Sequence, residues 1–225
     1  MMSVTMDVTD GVALITMDDG KANALSHELL DALGEAIADA GADDKVKAIV
    51  LAGREGKFCA GFDLRTMQGK GPDEVMALVA KGGRVGLDLF KCPKPVVAAA
   101  TGHGVAMGAL LLLCCDTRVG PEGTYKFGLN ETAIGMVMPD FGLILGQHRL
   151  EETALTAAIV QARIYDPEGA AKVGYLDLVV AEDAVIGTAV EIARQLGELP
   201  AHAYAGNKKA VRRDAAKAMK VSLKG

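Results

Sequence analysis

Three stretches of this 225-residue chain hold the residue types from which a reactive site can be built. Phe58-Cys59-Ala60-Gly61-Phe62-Asp63-Leu64 and Thr101-Gly102-His103-Gly104-Val105-Ala106-Met107-Gly108 are rich in glycine and alanine. In such loops backbone N–H groups can approach a ligand with little side chain in the way. Phe127-Gly128-Leu129-Asn130-Glu131 ends on a carboxylate followed by apolar Ile134, Met136 and Met138, a setting in which burial raises a glutamate towards neutrality and suits it to proton transfer. Singly, each stretch has an ordinary explanation: Gly61 and Gly108 as turn and helix-packing glycines, Glu131 as a solvated loop residue. Their occurrence together is what points to chemistry.

Other chemistries fit the residues less well. The run from Gly102 to Gly108 places its third glycine one residue late for a dinucleotide loop, and an apolar helix follows. Gly53-Arg54-Glu55-Gly56-Lys57 lacks the spacing and the hydroxyl of a phosphate loop. Neither Ser3, Ser26 nor Ser222 stands in the GxSxG of a serine hydrolase. His27, His103, His148 and His202 are scattered without metal-ligand spacing, and His103 alone lies beside the glycine-rich loop, where its ring can brace it. Cys59, Cys92, Cys114 and Cys115 form no CxxC pair and read as buried, reduced thiols. No metal and no separate cofactor is expected.

The elements that must position these segments follow from hydrophobic periodicity. SVTMDVT (3–9) and VALITMD (12–18) alternate and meet at Asp10-Gly11, which predicts a β-hairpin. Leu29, Leu30, Leu33, Ile37 and Ala40 recur at three- and four-residue steps, a helix over 26–39. Residues 46–53 and 95–102 read as buried strands, 73–91 as a helix weakened by Gly82, Gly83 and Gly86, and 106–113 as a wholly apolar helix inside the fold. Beyond residue 138 the pattern is helical, over 139–149, 151–162, 167–173, 183–197 and 201–222, with Pro139, Pro167 and Pro200 at plausible starts. An α/β core over 1–138 therefore precedes a helical section over 139–225, packed on it as one domain with no internal sequence repeat.

Composition bounds the setting. Half the residues are hydrophobic, enough for one sizeable core. A net charge of −5 argues against a nucleic-acid surface. The longest apolar run, Val105 to Cys115, falls short of the ~20 residues that cross a bilayer, and the first ten residues show no signal-peptide pattern. A soluble, cytoplasmic protein without membrane contact is the expectation.

Taken in order and spacing, the three stretches resemble the enoyl-CoA hydratase/isomerase (crotonase) superfamily. Phe58 to Leu64 is similar to its FxAGxDL loop; Thr101 to Leu110, running through Cys114-Cys115-Asp116-Thr117-Arg118, to its GxAxGxG…CDxR segment; and Phe127 to Gly135, continuing to Pro139, to its FGxPE…G…P segment. Asn130 replaces a proline there, and Gly128-Leu129-Asn130-Glu131-Thr132 resembles the Δ3,Δ2-enoyl-CoA isomerases. Asp18 to Leu25 and Ala170 to Val180 extend the likeness over most of the chain. The resemblance implies an α/β fold of ClpP/crotonase type, a spiral of ββα units with a helical C-terminal section, assembling as a homotrimer or a pair of trimers. It implies an acyl-CoA thioester as substrate, CoA being part of it. It assigns the N–H groups of Phe62 and Met107 to an oxyanion hole for the enolate formed when carbon 2 loses a proton, which such donors stabilise by several kcal/mol. Lys21, Ala22, Ala24, Ala60, Gly61, Asp63, Leu64, Arg65, Gly108 and Leu110 are assigned to substrate contact. Lys21, Arg65 and Lys208 or Lys209 are the candidates for the CoA phosphates.

Which reaction follows depends on a count of carboxylates. In the superfamily's hydratases two glutamates hold the water; here the second is Glu131, and the position of the first, six residues before Asp116, is Leu110. One carboxylate suffices to move a proton from carbon 2 to carbon 4, so isomerisation of 3-enoyl-CoA to 2-enoyl-CoA is the first expectation. Asp116 reads as a structural strand-end residue, while Glu122 and Asp140 stay open as a second carboxylate, which would restore a hydratase. An inactive acyl-CoA binding protein is the reading from another class.

Overall fold

The computed structural model describes residues 3–224. Strands β1 (Ser3–Thr9) and β2 (Val12–Asp18) form the expected hairpin. Asp10 and Gly11 both take positive φ, 50° and 77°, the two-residue turn whose twist matches its strands, and β2 is the VALITMD run itself. Ala13, Ile15 and Met17 point inward beneath α1 (His27–Ala42), which buries Leu29, Leu30, Leu33, Ile37 and Ala40. Ser26 caps α1, its hydroxyl accepting from the Leu29 amide at 3.2 Å.

From here the chain alternates between two sheets. It runs through β3 (Ala48–Gly53), β4 (Gly56–Cys59), α2 (Leu64–Met67), α3 (Pro72–Lys91), β5 (Val96–Ala99), β6 (Gly102–Val105), α4 (Met107–Cys114), β7 (Thr117–Pro121) and β8 (Phe127–Gly128). In each of the pairs β3–β4, β5–β6 and β7–β8, the first strand joins a six-stranded sheet and the second a three-stranded one, ordered β4-β6-β8. Helices follow the first two pairs, which produces the ββα spiral that the resemblance implied. The repeat lies in the switching of sheets, so no sequence repeat accompanies it. The single strand expected over 95–102 is corrected accordingly: β5 ends at Ala99, and Gly102 opens β6 in the other sheet.

Helix α3 is continuous despite its glycines. A Cβ at Gly82 would collide with the Phe62 ring, one at Gly83 with Leu223, and one at Gly86 would crowd Cys114. These glycines weaken helix propensity and permit close packing at the same positions. α4 is apolar on every side and all eight residues are buried.

The C-terminal section comprises α5 (Asp140–Arg149), α6 (Pro167–Val173), a strand β9 (Leu178–Val180), α7 (Val185–Gly197) and α8 (Ala201–Ser222). Two expectations change. The helix expected over 151–162 is a 3₁₀ turn at Glu152–Ala154 followed by a π-helical turn at Thr156–Val160, closed by a bond from Gln161 N to Thr156 O at 3.0 Å. β9, within the helical section, pairs in parallel with β7 at the edge of the large sheet. Among the described residues no helix is long and apolar enough to cross a membrane.

Asp116 ties the helical section to the core. Its carboxylate accepts from Val96 N (2.8 Å), Lys208 Nζ (2.7 Å) and Arg212 (2.8 Å). Arg212 also donates to the Phe90, Cys114 and Cys115 carbonyls, and its guanidinium stacks on the Phe90 ring. Asp116 is thus structural, as its strand-end position implied, and Lys208 is corrected as a phosphate contact, because its ammonium is buried in this ion pair. Asp116→Ala leaves two buried cations uncompensated and is expected to cost about 3–5 kcal/mol in urea unfolding, whereas Lys209→Ala, on the exposed side of α8, is expected to change it by less than about 0.5 kcal/mol.

Candidate active site

The loop after β4 and the start of α4 meet because their sheet partners β4 and β6 are neighbours. Gly61 takes φ 91°, and a Cβ placed on it would lie 2.8 Å from the Ala106 methyl and 3.4 Å from Met107 N. A Cβ on Gly108 would overlap the Cys59 carbonyl. Both glycines are therefore required for the backbones to approach this closely.

The orientation of each amide follows from local geometry. Leu25 and Phe62 form a parallel bridge in which Leu25 N donates to Gly61 O (2.8 Å) and Asp63 N to Leu25 O (3.1 Å). That pattern turns the Phe62 N–H to the opposite side. Met107 is the first residue of α4, so its N–H is one of the donors a helix leaves without an intrahelical acceptor. Immediately before it, Ala106 takes φ 51° and ψ −126°, a conformation rare for a residue with a Cβ. Strain thus sits at the turn that aims the Met107 amide.

A cavity of about 100 Å³ opens beside these loops, lined by Ala60, Phe62, Leu64, Leu110, Glu131 and Phe141 among others. Asn130, Ile134, Met136 and Pro139 complete the Glu131 side. Met138, expected among the apolar neighbours of Glu131, instead faces an adjoining cleft, its sulfur packed near Gly142. That larger cleft, between α3, residues 136–141 and the end of α8, shares Val79, Met136, Pro139 and Phe141 with the cavity.

Glu131 is 7% exposed, and its Oε2 has no hydrogen-bond partner. Desolvation pushes its carboxyl above the ordinary glutamate value, against the pull of the Glu131 and Asn130 amides. Among the described residues lining the cavity it is the one carboxylate. Asp140 is exposed and faces the adjoining cleft, and Glu122 is exposed beyond β7, so neither supplies a second. Leu110, 2% exposed, lines the same cavity.

The remaining sequence-assigned residues stand around this cavity rather than in it. Ala22 O accepts from Ala60 N at 3.1 Å, and Ala24 N is held by Asp19, so residues 21–25 flank the first loop while Lys21 is exposed. Asp63 caps α2 and grips Arg65 through both carboxylate oxygens. The Arg65 hydrogen bonds hold the Asp63 carboxyl below its usual range, so Arg65 is paired within the protein, though solvent-exposed. His103 braces its loop as expected, Nδ1 accepting from Lys126 N at 3.0 Å with its ring edge against Tyr125. The four cysteines are buried free thiols.

Sequence reasoning passed over Asn23 and Ala106. Asn23, fully buried at φ 52°, donates to Met17 O (2.8 Å), Phe58 O (3.1 Å) and Lys57 O (3.2 Å), stitching residues 19–24 to β4. Its only signal was a polar residue between alanines. Ala106 gave none, since its conformation is imposed by the sheet-to-helix turn.

Known proteins place this architecture. The enoyl-CoA hydratase/isomerase family model matches residues 7–224. The carnitinyl-CoA dehydratase of Salmonella enteritidis is 35% identical over 186 residues, 81% of this chain and 69% of that protein. Human mitochondrial enoyl-CoA delta isomerase 1 is 30% identical over 202 residues, 89% of this chain and 67% of that protein. The Arabidopsis thaliana peroxisomal fatty acid beta-oxidation multifunctional protein AIM1 is 32% identical over 204 residues, but the match spans 28% of that longer protein. The apo crystal structure of an Mtb enoyl-CoA isomerase superposes with a TM-score of 0.94 at 37% identity, covering 99% of this chain and 96% of that one. With a spiral, two apposed loops and a match of this extent, the chain belongs to the enoyl-CoA hydratase/isomerase family, enzymes of isomerase and lyase type acting on acyl-CoA thioesters.

Proposed function

We propose that this protein isomerises 3-enoyl-CoA to 2-enoyl-CoA thioesters. The observation that carries this reading is the solitary carboxylate: Glu131 shares a largely apolar cavity with Leu110. In the proposed cycle the thioester oxygen sits between the Phe62 and Met107 amides, which stabilise the enolate formed as Glu131 takes a proton from carbon 2. Glu131 then returns that proton to carbon 4, and the double bond moves into conjugation with the carbonyl. A raised carboxyl pKa suits both halves of the shuttle, since the same group must accept and then donate. Hydration is the second reading, favoured by the dehydratase among the relatives, and it requires a further acid to protonate carbon 2 of the enolate formed when water adds at carbon 3.

The test pairs two substrates. With 3-hexenoyl-CoA the conjugated thioester absorbance is expected to rise, with crotonyl-CoA to stay constant, and Glu131→Gln to lower the first rate by about 10²–10⁴-fold. Loss of absorbance with crotonyl-CoA would establish hydration instead. Silence on both, with tight acyl-CoA binding, would leave a binding protein without turnover.

Two further outcomes follow from the buried carboxylate. The ionised form is the base, so kcat/KM is expected to fall on acidification through a pKa above 4.5, the value of an unperturbed glutamate, as a pH–rate profile measures. Charging a desolvated group costs the folded state free energy, and this cost grows as pH rises past the ordinary glutamate value and is complete above the raised folded one. Glu131→Gln is thus expected to be inactive yet more stable at neutral pH, with a thermal midpoint raised by about 2–4 °C for each kcal/mol gained.

A further inference from the structure

Tyr175 follows Gly174, the residue at φ 99° that ends α6, and its side chain is fully buried. Its amide donates to Ala170 O at 2.9 Å, and its ring packs on Tyr165 at a centroid separation of 5.9 Å. Tyr165 exchanges both main-chain hydrogen bonds with Phe127, each 2.9 Å, and Phe127 opens the strand that runs into Asn130 and Glu131. The phenol is therefore fixed from two sides against the segment that carries the proposed base.

Three buried oxygens there are without a partner within the protein: the Tyr175 hydroxyl, Asn130 Oδ1 and Glu131 Oε2. The Glu131 carboxylate acts electrostatically on the phenol, and the Leu129 amide acts on the phenolic oxygen without closing a hydrogen bond. Burial holds the phenol protonated, with Tyr165 and Glu131 adding to the effect, so it presents an O–H donor. Glu131 is an acceptor, set by desolvation and by the Asn130 and Glu131 amides alone. A phenylalanine would fill the same space without an orphaned hydroxyl, whereas a bridging water would give the phenol and Glu131 Oε2 each a partner.

We propose that Tyr175 is a positioning residue for Glu131, its hydroxyl holding Oε2 through one bridging water and leaving the other carboxylate oxygen to the substrate proton. This rests on Glu131 as the base. A hydrogen bond to a carboxylate favours its ionised form, so Tyr175→Phe raises the pKa at which the base is lost.

The experiment compares wild type, Tyr175→Phe and Glu131→Gln on 3-hexenoyl-CoA, or on crotonyl-CoA if that is what the wild type turns over. Tyr175→Phe is expected to lower kcat about ten-fold with KM within two-fold, and to move the acid limb of the profile up by about half a pH unit. It is also expected to shift the infrared C=O band that Glu131→Gln abolishes, a readout that needs no turnover. Wild-type kcat, profile and band in Tyr175→Phe, with Glu131→Gln inactive, overturn this inference alone. Turnover retained in Glu131→Gln overturns the role of Glu131 and this inference with it.

Discussion

Between Cys59 and Gly108 the main chain of one loop lies against the first turn of a helix with no room for a side chain. This contact sets the spacing of the Phe62 and Met107 amides, and much else in the chain serves it. Parallel pairing of β4 with β6 brings the two segments alongside each other, the Leu25 bridge fixes the twist of the first, and Asn23 pins residues 19–24 behind it. The cost is visible at Ala106, whose backbone is held in a region worth about 1–3 kcal/mol of strain. A donor pair made from backbone is rigid because moving either amide would require a sheet or a helix to move.

The carboxylate is held by different means. Glu131 lies just beyond the two-residue strand β8, followed by a single 3₁₀ turn whose Thr132 hydroxyl donates to Ile159 O at 3.1 Å. The π-helical turn is thus part of the site's support: its widened backbone presents the carbonyl that anchors the residue after Glu131. Amides are placed by sheet geometry and the carboxylate by loop packing, so the Phe62 and Met107 amides tolerate change in the helical section better than the carboxylate does.

The three segments that meet at the cavity were legible in the sequence because the features that shape them are local: a glycine where φ is positive, a helix start where an amide is left free, an Asn-Glu pair after a strand. The long periodic helices were legible for the same reason, and α1, α3 and α8 lie close to where the apolar spacing places them. What escaped was non-local. Nothing around Ala100-Thr101 announces that the chain changes sheets there, and strands of two to four residues such as β4 and β8 carry too little pattern to be read. Lys208 looked like any solvated helix lysine because its partner Asp116 is 92 residues away.

Cys59 stands at the end of β4, one residue before the loop that carries the Phe62 amide. A thiolate so placed would be a hazard to an enzyme whose substrate is itself a thioester, since thiol–thioester exchange would transfer the acyl group to the protein and release free CoA. Burial pushes the Cys59 thiol up to about 12. At neutral pH that leaves roughly one molecule in a hundred thousand ionised, and the sulfur is closed off from solvent besides. The packing that brings two backbones together thus also protects against self-acylation, keeping the Cys59 sulfur silent beside a thioester.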